Sequence, residues 1–403
     1  MQNVVIIGAG QAGFAVAARL RAERFDGAVT LIGEEADPPY QRPPLSKKYL
    51  TGEMTRDRLY LRPASYYDEH DIRLLTSCHV RSIDCPARTV WLDDREIGYD
   101  HLVIATGSAP RRLPADLGGN LDGLHYVRTL ADVDRMRSAF REGTRLLIVG
   151  GGYIGLEAAA VAAQLGVETT LIEAAPRILQ RVAAPETAEY FRALHTGKGV
   201  RLIEGVGLNR LTGADRVEGA LLADGTKIAA DFAIAGIGVA PCTDLAETAG
   251  LEIENGIRVD DCGRTSDPTI FAVGDCASFP HRGGRIRLES VPHAIDQANV
   301  VADVILGRDV RYHARPWFWS DQFNVKLQIV GLNTGYDRTI RREGAKAGSV
   351  SIWYFRAGRL VAVDAANDPA AYMTAKRWIE SDRSPSPEAI ADASIALKDI
   401  DVG

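Results

Sequence analysis

Cysteine is scarce in this 403-residue sequence and is never closely paired. The five cysteines, Cys78, Cys85, Cys242, Cys262 and Cys276, are scattered, and none stands in a C-x-x-C or C-x4-C spacing. This absence excludes a local redox disulfide and a clustered zinc or iron–sulfur site. We therefore interpret all five as structural thiols and expect no metal centre.

The sequence also lacks a long apolar run and a strong net charge, and we expect no leader segment. Its most apolar region, residues 146–167, is interrupted by three consecutive glycines, Glu157 and Gln164, which makes a poor membrane span. A net charge of −6 argues against a general nucleic-acid or anionic-membrane binder. A core strand begins after three residues, which leaves no room for a signal peptide. We expect a soluble, cytoplasmic protein with no nucleic-acid or membrane partner.

Length and composition predict an ordinary globular protein of several domains. A chain of 403 residues is too long for one hydrophobic core, so two or three domains are expected. Hydrophobic residues make up 46% of the sequence and charged residues 25%, as in an ordinary soluble globular protein.

The central motif is a glycine-rich turn that follows the apolar run 146–149 and precedes an alanine-rich helical segment. Gly150 permits the tight turn, Gly152 lets the backbone approach a pyrophosphate, and Gly155 lets the helix pack closely against the strand. The helix N-terminus then offers N–H groups to phosphates. Glu173 ends the next strand pattern, where a carboxylate can accept from a ribose hydroxyl. This arrangement predicts a dinucleotide site, which we call the second glycine turn.

The N-terminus carries the same motif after the apolar run 4–7, and we call it the first glycine turn. Its glycines are Gly8, Gly10 and Gly13. The position that matches Glu173 is Gly33, with Glu34 and Glu35 directly after it, and we choose Glu34 as the ribose-binding acid. A lone G-x-G-x-x-G is weak evidence, but two copies in the same strand–turn–helix context predict two bound dinucleotides.

Three further segments have the character of cofactor loops. A proline-rich loop at 38–48 contains Arg42 and Lys47, and its rigidity favours a binding role over solvated surface charge. A buried strand pattern ends at 105–107, Ala-Thr-Gly. Another ends at Gly274-Asp275, which places a carboxylate at the carboxyl end of a strand, where open α/β sheets bind ligands.

The sequence pattern changes from about residue 310. Alternating strand patterns predict a small sheet domain that closes with a helix over 370–381. The Pro/Ser-rich and then acidic tail after Arg383 predicts a poorly packed end.

Taken in order, these motifs resemble the FAD-containing, NADH-dependent ferredoxin reductases of oxygenase systems. The resemblance covers nearly the whole chain and includes the two glycine turns, residues 42–47, 105–107, 274–275, 289–292 and 318–322. It implies an α/β, glutathione-reductase-like fold with two Rossmann-like dinucleotide-binding domains and a C-terminal α+β domain. The implied boundaries are 1–110 and 234–309 for FAD, 111–233 for NAD, and 310–403 for the C-terminal domain beside the flavin.

The resemblance also implies roles for individual residues. FAD would be held by Gly8, Gly10, Gly13, Glu34, Arg42, Lys47, Ala105, Thr106, Gly107, Asp275, Val291 and Trp319, with Gln297 near the flavin edge. NADH would be held by Gly150, Gly152, Tyr153, Ile154, Gly155 and Glu173. Lys47 and Glu157 are the expected catalytic pair, with Glu157 facing the nicotinamide. Cys242 and His293 stand where many relatives have asparagine, and we expect both near the flavin.

The expected reaction is hydride transfer from NADH to FAD, followed by electron delivery to a partner protein. Because no cysteine pair lies near 38–48, the electrons cannot leave through a protein disulfide. The favoured acceptor is a 2Fe–2S ferredoxin that serves a monooxygenase or a ring-hydroxylating dioxygenase, and the enzyme is expected to be a monomer or weak dimer.

Glu173 favours NADH, whereas Arg177 is a small argument for NADPH. Two alternatives stay open: a same-fold reductase for rubredoxin or another acceptor, and a redox-responsive protein like apoptosis-inducing factor.

An acidic ferredoxin would need a local basic patch on its reductase. The candidates are Arg285, Arg287, Arg315 and Lys326.

Overall fold

A computed structural model describes residues 2–402, which divide into two compact units. Unit 1 comprises the chain up to Arg42 together with Thr55–Ala109 and Val239–Pro316. Unit 2 comprises Pro43–Met54, Pro110–Gly238 and the chain from Trp317 onward. Each unit contains one of the two glycine turns.

Unit 1 is built on a five-stranded parallel sheet. In spatial order its strands are Ile270–Ala272, His101–Ile104, Asn3–Ile7, Ala28–Ile32 and Ile72–Leu75. The strand Asn3–Ile7 is apolar and buried from its second residue onward, as expected of a parallel strand that is covered on both faces. Helices Gln11–Ala22 and Val291–Ile305 pack together and share one hydrophobic core with this sheet.

Smaller elements complete unit 1. Its antiparallel strands are Val80–Asp84, Thr89–Leu92 and Glu96–Gly98, and Ala277–His281 pairs with Ile257–Arg258 and Gly284–Ile286. Its short helices are Arg56–Arg58, Ser65–Glu69, Asp244–Thr248 and Gly274–Cys276. Strands Ser108–Pro110 and Val239–Pro241 lie where the chain passes between the units.

Unit 2 contains a second five-stranded parallel sheet. Four of its strands follow the same order as in unit 1, but its fifth strand, at the edge, comes first rather than last along the chain. Its strands are Leu124–His125, Phe232–Ala235, Arg145–Val149, Glu168–Glu173 and Arg201–Glu204. Helices Leu130–Arg137, Tyr153–Gln164 and Pro185–Gly197 belong to this part, with the short helix Ala115–Leu117 and the antiparallel strands Leu208–Thr212, Gly219–Leu222 and Lys227–Ala229.

The C-terminal part of unit 2 is an antiparallel sheet with helices. In spatial order its strands are Trp317–Gln322, Val325–Gly331, Arg359–Ala366, Val350–Arg356 and Arg338–Glu343. Helices Pro369–Glu380, Pro387–Ala391 and Leu397–Asp399 follow. The predicted α/β class, with two Rossmann-like sheets and a C-terminal α+β part, is confirmed.

The prediction of a poorly packed tail is wrong. Ile390, Ile400 and Val402 are buried in the hydrophobic core of the C-terminal sheet. These three apolar residues reach the core although the segment is polar on average, whereas Ile395 is 36% exposed. Within residues 2–402, no helix has both the length and the apolar character needed to cross a bilayer.

Candidate functional site

The first glycine turn is closed by backbone that leaves no room for side chains at two of its three glycines. Gly8 has φ +111°, and a Cβ there would lie 2.2 Å from the Ala105 carbonyl oxygen. A Cβ on Gly13 would lie 2.0 Å from the Gly8 carbonyl oxygen. Gly10 is different, because a Cβ there would meet nothing within 4 Å. The open side of the turn is therefore at Gly10, where a phosphate can approach the backbone.

Helix Gln11–Ala22 starts directly from this open side. Its N-cap residue is Gly10, and no side chain within the described residues caps it. The first N–H groups of such a helix need an acceptor, and an anion at the positive end of the helix dipole supplies one. The turn therefore fits the pyrophosphate of a dinucleotide.

The strand end at 105–107 is joined to residue 242 by two hydrogen bonds. The Thr106 hydroxyl donates to the Cys242 carbonyl oxygen at 2.7 Å. The Cys242 N–H donates to the Gly107 carbonyl oxygen at 2.9 Å. These bonds hold the backbone of 105–107 beside the first glycine turn, against which Ala105 already lies.

Asp275 and Gln297 add polar groups to the same sheet edge. One Asp275 carboxylate oxygen accepts from the Ser108 hydroxyl at 2.9 Å. Gln297 is 1% exposed, and its oxygen accepts from the Gly274 N–H at 2.8 Å. Its amide nitrogen has no hydrogen-bond partner within residues 2–402. A buried donor without a partner is costly, so this nitrogen fits a ligand acceptor such as a flavin. Ser108 is a candidate site residue that sequence reasoning missed.

Val291 and His293 lie at the start of helix Val291–Ile305. Val291 is half-buried as the first residue of that helix. His293 is buried, its Nδ1 lies 2.7 Å from the Tyr312 hydroxyl, and its ring stacks on Phe279. Burial lowers the pKa of His293 to about 4, so the ring is neutral at physiological pH. These partners make His293 part of the packed core of unit 1.

The two acids after Gly33 have different surroundings. Glu35 accepts from the Tyr40 hydroxyl and, at 2.6 Å, from the Arg42 guanidinium. The Glu34 side chain is 78% exposed, and its carboxylate lies 3.2 Å from Nδ1 of His79. Glu35 is therefore engaged in holding Arg42, whereas Glu34 is accessible to a ligand.

The second glycine turn has the same backbone geometry as the first. Gly150 has φ +110°, and a Cβ there would lie 2.4 Å from the Gly236 carbonyl oxygen. A Cβ on Gly155 would lie 2.1 Å from the Gly150 carbonyl oxygen, whereas Gly152 faces open space. Gly152 is also the N-cap of helix Tyr153–Gln164, and no side chain within residues 2–402 caps it. This turn likewise fits a pyrophosphate.

Glu173 holds the second glycine turn directly. Its carboxylate accepts from the Gly151 N–H at 2.7 Å and from the Ala175 N–H at 2.8 Å. Arg177 is engaged elsewhere, because its guanidinium donates to the Ala183 carbonyl oxygen at 2.7 Å. Arg177 therefore stabilises the loop that follows it.

Tyr153 and Ile154, predicted to hold NADH, and Trp319, predicted to hold FAD, all lie in unit 2. The Tyr153 ring lies 5.1 Å from the Phe318 ring, centroid to centroid, and its hydroxyl is buried without a hydrogen-bond partner within residues 2–402. Ile154 is 43% exposed on the first turn of its helix. Trp319 is half-buried, with its ring 5.7 Å from that of Trp317.

Lys47 and Glu157 form a buried ion pair. Nζ of Lys47 lies 2.7 Å from Oε2 of Glu157. The same oxygen accepts from the Ser46 hydroxyl at 2.9 Å, and Oε1 accepts from the Ser320 hydroxyl at 2.8 Å. Lys47 interrupts the helical turn Leu45–Tyr49 with φ −133° and ψ −114°. Three segments far apart in sequence therefore converge on one carboxylate. Both serines lie in motifs noted above, but nothing in those motifs assigned them to Glu157.

Two of the four basic docking candidates are engaged within unit 1. The Arg285 guanidinium donates to the Val259 carbonyl oxygen at 2.6 Å. The Arg287 guanidinium lies 2.6 Å from the Glu289 carboxylate. Both are structural residues, whereas Arg315 and Lys326 are exposed.

Comparison with known proteins matches nearly the whole chain. The family model described as pyridine nucleotide-disulphide oxidoreductase matches residues 2–298, and the one described as reductase C-terminal matches residues 317–400. Rhodocoxin reductase of Rhodococcus erythropolis is 42% identical, with 98% of this chain and 93% of that protein covered. Putidaredoxin reductase of Pseudomonas putida is also 42% identical, with 99% and 96% covered. The crystal structure of the covalent putidaredoxin reductase–putidaredoxin complex matches with a TM-score of 0.95 and 40% identity, over 98% of this chain and 97% of that one.

Proposed function

Because the chain belongs to the pyridine nucleotide-disulphide oxidoreductase family, we propose that it is an FAD-dependent NADH:ferredoxin oxidoreductase. In this proposal it takes a hydride from NADH and passes electrons singly to a 2Fe–2S ferredoxin. That ferredoxin serves a cytochrome monooxygenase or a ring-hydroxylating dioxygenase.

The buried pair of Lys47 and Glu157 carries the proposal. An ammonium group held at 2.7 Å from a carboxylate is a fixed positive charge with a defined direction. Ser46 and Ser320 donate to the same carboxylate, so its position does not depend on Lys47 alone. Charges that are fixed before the reaction stabilise developing charge without the cost of reorganisation. Lys47 and Glu157 are therefore the proposed catalytic residues.

The remaining site residues are assigned to the two cofactors. Residues 1–110 and 234–309 bind FAD, through Gly8, Gly10, Gly13, Glu34, Arg42, Lys47, Ala105, Thr106, Gly107, Asp275 and Val291. Trp319 of the C-terminal domain is assigned to FAD as well. Residues 111–233 bind NADH, through Gly150, Gly152, Tyr153, Ile154, Gly155 and Glu173. When bound, NADH supplies the hydride. FAD can accept two electrons together and release them one at a time. The open faces at Gly10 and Gly152 support both assignments.

The protein's own contribution is alignment and charge. Hydride transfer needs the two reacting rings in position more than it needs a proton donor. Cysteine is absent from residues 38–48, so no dithiol there can carry the electrons onward. A one-electron acceptor protein is the exit that remains.

The second glycine turn favours NADH over NADPH. The Glu173 carboxylate at the strand end would repel a 2′-phosphate. Arg177 was the argument for NADPH, but its guanidinium is engaged with the Ala183 carbonyl oxygen. We further propose that the protein is cytoplasmic and works as a monomer or weak dimer.

The test is anaerobic titration of the purified holoenzyme with NADH and separately with NADPH, followed by mixing with a 2Fe–2S ferredoxin. We expect prompt bleaching of the flavin by NADH and then rapid reduction of the ferredoxin. Bleaching that stalls in a stable complex, with no electron transfer to any ferredoxin tried, would contradict the proposal.

Two variants separate the catalytic lysine from its neighbour. Lys47→Met removes the buried cation, and we expect flavin reduction by NADH to slow by about a hundredfold. Lys48→Met is the matched control, because Lys48 is exposed and its loss should leave the rate unchanged. Equal rates in the two variants would remove Lys47 from the mechanism.

A further inference from the structure

Ser320, named above as a donor to Glu157, begins a row of buried polar side chains whose other members have no role in the proposed reaction. Ser320, Gln322 and His195 are each 0% exposed, and Glu157 is 5% exposed. Ser320 and Gln322 are on the first strand of the C-terminal sheet, whereas His195 is on helix Pro185–Gly197. All of them belong to unit 2. Burying so many polar groups is costly unless they bind one another.

These side chains form one continuous chain of hydrogen bonds. The Ser320 hydroxyl donates to Oε1 of Glu157 at 2.8 Å. The Gln322 amide nitrogen donates to the Ser320 hydroxyl at 3.1 Å. Nε2 of His195 lies 2.8 Å from the Gln322 amide oxygen. The chain thus runs from a helix that carries no predicted site residue to the carboxylate of the catalytic pair.

The charge on Glu157 determines the direction of every bond in this chain. A carboxylate only accepts, so Ser320 must give its single proton to Glu157. Ser320 can then only accept from Gln322, which turns the Gln322 amide nitrogen toward it and the amide oxygen toward His195. That oxygen also only accepts, so Nε2 of His195 must carry a proton. The Lys47–Glu157 pair therefore specifies the tautomer of a histidine three hydrogen bonds away.

The surroundings of His195 agree with this tautomer. Its Nδ1 has no hydrogen-bond partner within residues 2–402, so no bond to this nitrogen opposes a proton on Nε2. Burial lowers the pKa of His195, so the ring stays neutral at physiological pH. The Phe323 ring packs edge-on against it with the centroids 5.1 Å apart. A neutral, packed ring makes a rigid end for the chain.

We propose that His195, Gln322 and Ser320 are positioning residues that hold the Glu157 carboxylate, and through it Lys47, in place for hydride transfer. The proposal rests on the function proposed above. Ser320 and Gln322 are each held at both ends, because each donates toward Glu157 and accepts from the member behind it, and His195 ends the chain by donating to Gln322. Small displacements of a catalytic group lower a rate strongly even when the substrate still binds. Loss of the chain should therefore slow flavin reduction and leave NADH affinity nearly unchanged.

The first experiment measures flavin reduction by NADH in the holoenzyme, by anaerobic stopped flow over a range of NADH concentrations. We expect Ser320→Ala and Gln322→Leu to lower the limiting rate about tenfold, with the NADH dissociation constant within about twofold of wild type. His195→Phe should slow the reaction, whereas His195→Gln should restore it, because a glutamine amide can also donate to Gln322.

Ser351→Ala is the matched control. Ser351 is also 0% exposed, lies in the same C-terminal sheet and accepts from the Trp353 indole N–H, but it is not connected to Glu157. Its loss should lower stability about as much as Ser320→Ala and leave the limiting rate unchanged. Equal loss of rate in Ser351→Ala and Ser320→Ala, or no loss in either, would overturn the proposal.

The second experiment observes the chain itself by ¹⁵N NMR of histidine-labelled holoenzyme. The sequence has 8 histidines, and His195→Gln identifies the signal of His195. We expect a neutral ring protonated at Nε2, whose signal moves in Glu157→Gln and stays in place in Ser351→Ala. A ring protonated at Nδ1, or a signal that ignores Glu157→Gln, would overturn the proposal. This readout does not depend on turnover, so it separates failure of the chain from failure of the proposed function.

Discussion

The two glycine turns share one backbone geometry and differ in the residue between their first two glycines. In the first turn this residue is Ala9, and a Cβ on Gly33 would lie 2.7 Å from the Ala9 Cβ. In the second turn it is Gly151, and the carboxylate of Glu173 fills the space beside it. One methyl group therefore decides whether an acid can stand at the end of the second strand.

This difference explains why the acid of the first site was ambiguous from sequence. Gly33 occupies the position of Glu173, because Ile7 pairs with Ile32 as Val149 pairs with Ile172. With Ala9 in the way, an acid can stand only after Gly33. In the proposed assignment, the acid that binds the dinucleotide therefore stands at the strand end in one copy of the fold and beyond it in the other.

The strongest test of the shared geometry replaces the first glycine of each turn. Gly8→Ala and Gly150→Ala place a Cβ 2.2 Å and 2.4 Å from a carbonyl oxygen, at φ values that alanine disfavours. Each should lower the free energy of unfolding by about 3 kcal/mol. Gly8→Ala should yield protein without flavin, whereas Gly150→Ala should keep its flavin and lose reduction by NADH.

Flavin content from absorbance, and bleaching by NADH, separate these two results. Gly197→Ala is the control, because a Cβ there meets nothing within 4 Å in a helix. Loss of flavin from Gly150→Ala, with flavin retained in Gly8→Ala, would reverse the cofactor assignment.

The acids can be compared next. Glu173→Ala removes the acceptor of two backbone N–H groups, and NADH binding should weaken ten- to a hundredfold while flavin content is unchanged. Glu34→Ala should weaken FAD binding about tenfold and leave the NADH dissociation constant unchanged. Titration calorimetry with NAD⁺ and fluorescence titration of the apoprotein with FAD measure the two constants. If Glu35→Ala weakened FAD binding and Glu34→Ala did not, the choice of Glu34 would be wrong.

The role of Ala9 can be tested by exchanging alanine and glycine between positions 9 and 33. Gly33→Ala should lower the free energy of unfolding by roughly 1–3 kcal/mol, because its Cβ overlaps that of Ala9. The double change Ala9→Gly with Gly33→Ala should recover most of this loss, since contacting residues are not additive. Chemical denaturation followed by flavin fluorescence reports the difference. Additive losses would show that the two positions do not compete for space.

The smallest expected effect concerns the loop behind the second turn. The Leu179 N–H donates to the Gly151 carbonyl oxygen, and the Ala184 N–H of the same loop donates to the Tyr354 hydroxyl. Tyr354 in turn donates to the buried carboxylate of Asp364, which also accepts from the Thr187 hydroxyl at 2.7 Å. Burial raises the pKa of Asp364 to about 6.

This raised pKa gives stability a defined pH dependence. The folded protein favours protonated Asp364, so the stabilisation is complete below its ordinary pKa near 4 and is lost as pH rises through about 6. Between pH 5 and pH 7.5 the free energy of unfolding should fall by roughly 1 kcal/mol from this group. Asp364→Asn should remove that dependence and raise stability at pH 7.5. Denaturation midpoints at both pH values test this, and an unchanged pH slope in the variant would assign the effect elsewhere.

Much of the fold followed from local patterns. Both glycine turns, with their strands and helices, could be placed within a few residues because period, apolar runs and glycine spacing are all local in sequence. The prediction for the tail after Arg383 was wrong because it used the average polarity of the segment. Three of its apolar residues pack into a core that other segments build. Burial of that kind depends on partners distant in the chain.

The sequence by itself therefore determined the two dinucleotide-binding folds, their order and the absence of closely spaced cysteines, because each of these is a local sequence pattern. Only the tertiary structure decided which groups meet Glu157 and which stand behind it. Ser46, Ser320, Gln322 and His195 come from three separate segments, and nothing in their local spacing records their convergence. A buried carboxylate needs hydrogen-bond donors, and the tertiary fold determines which side chains supply them.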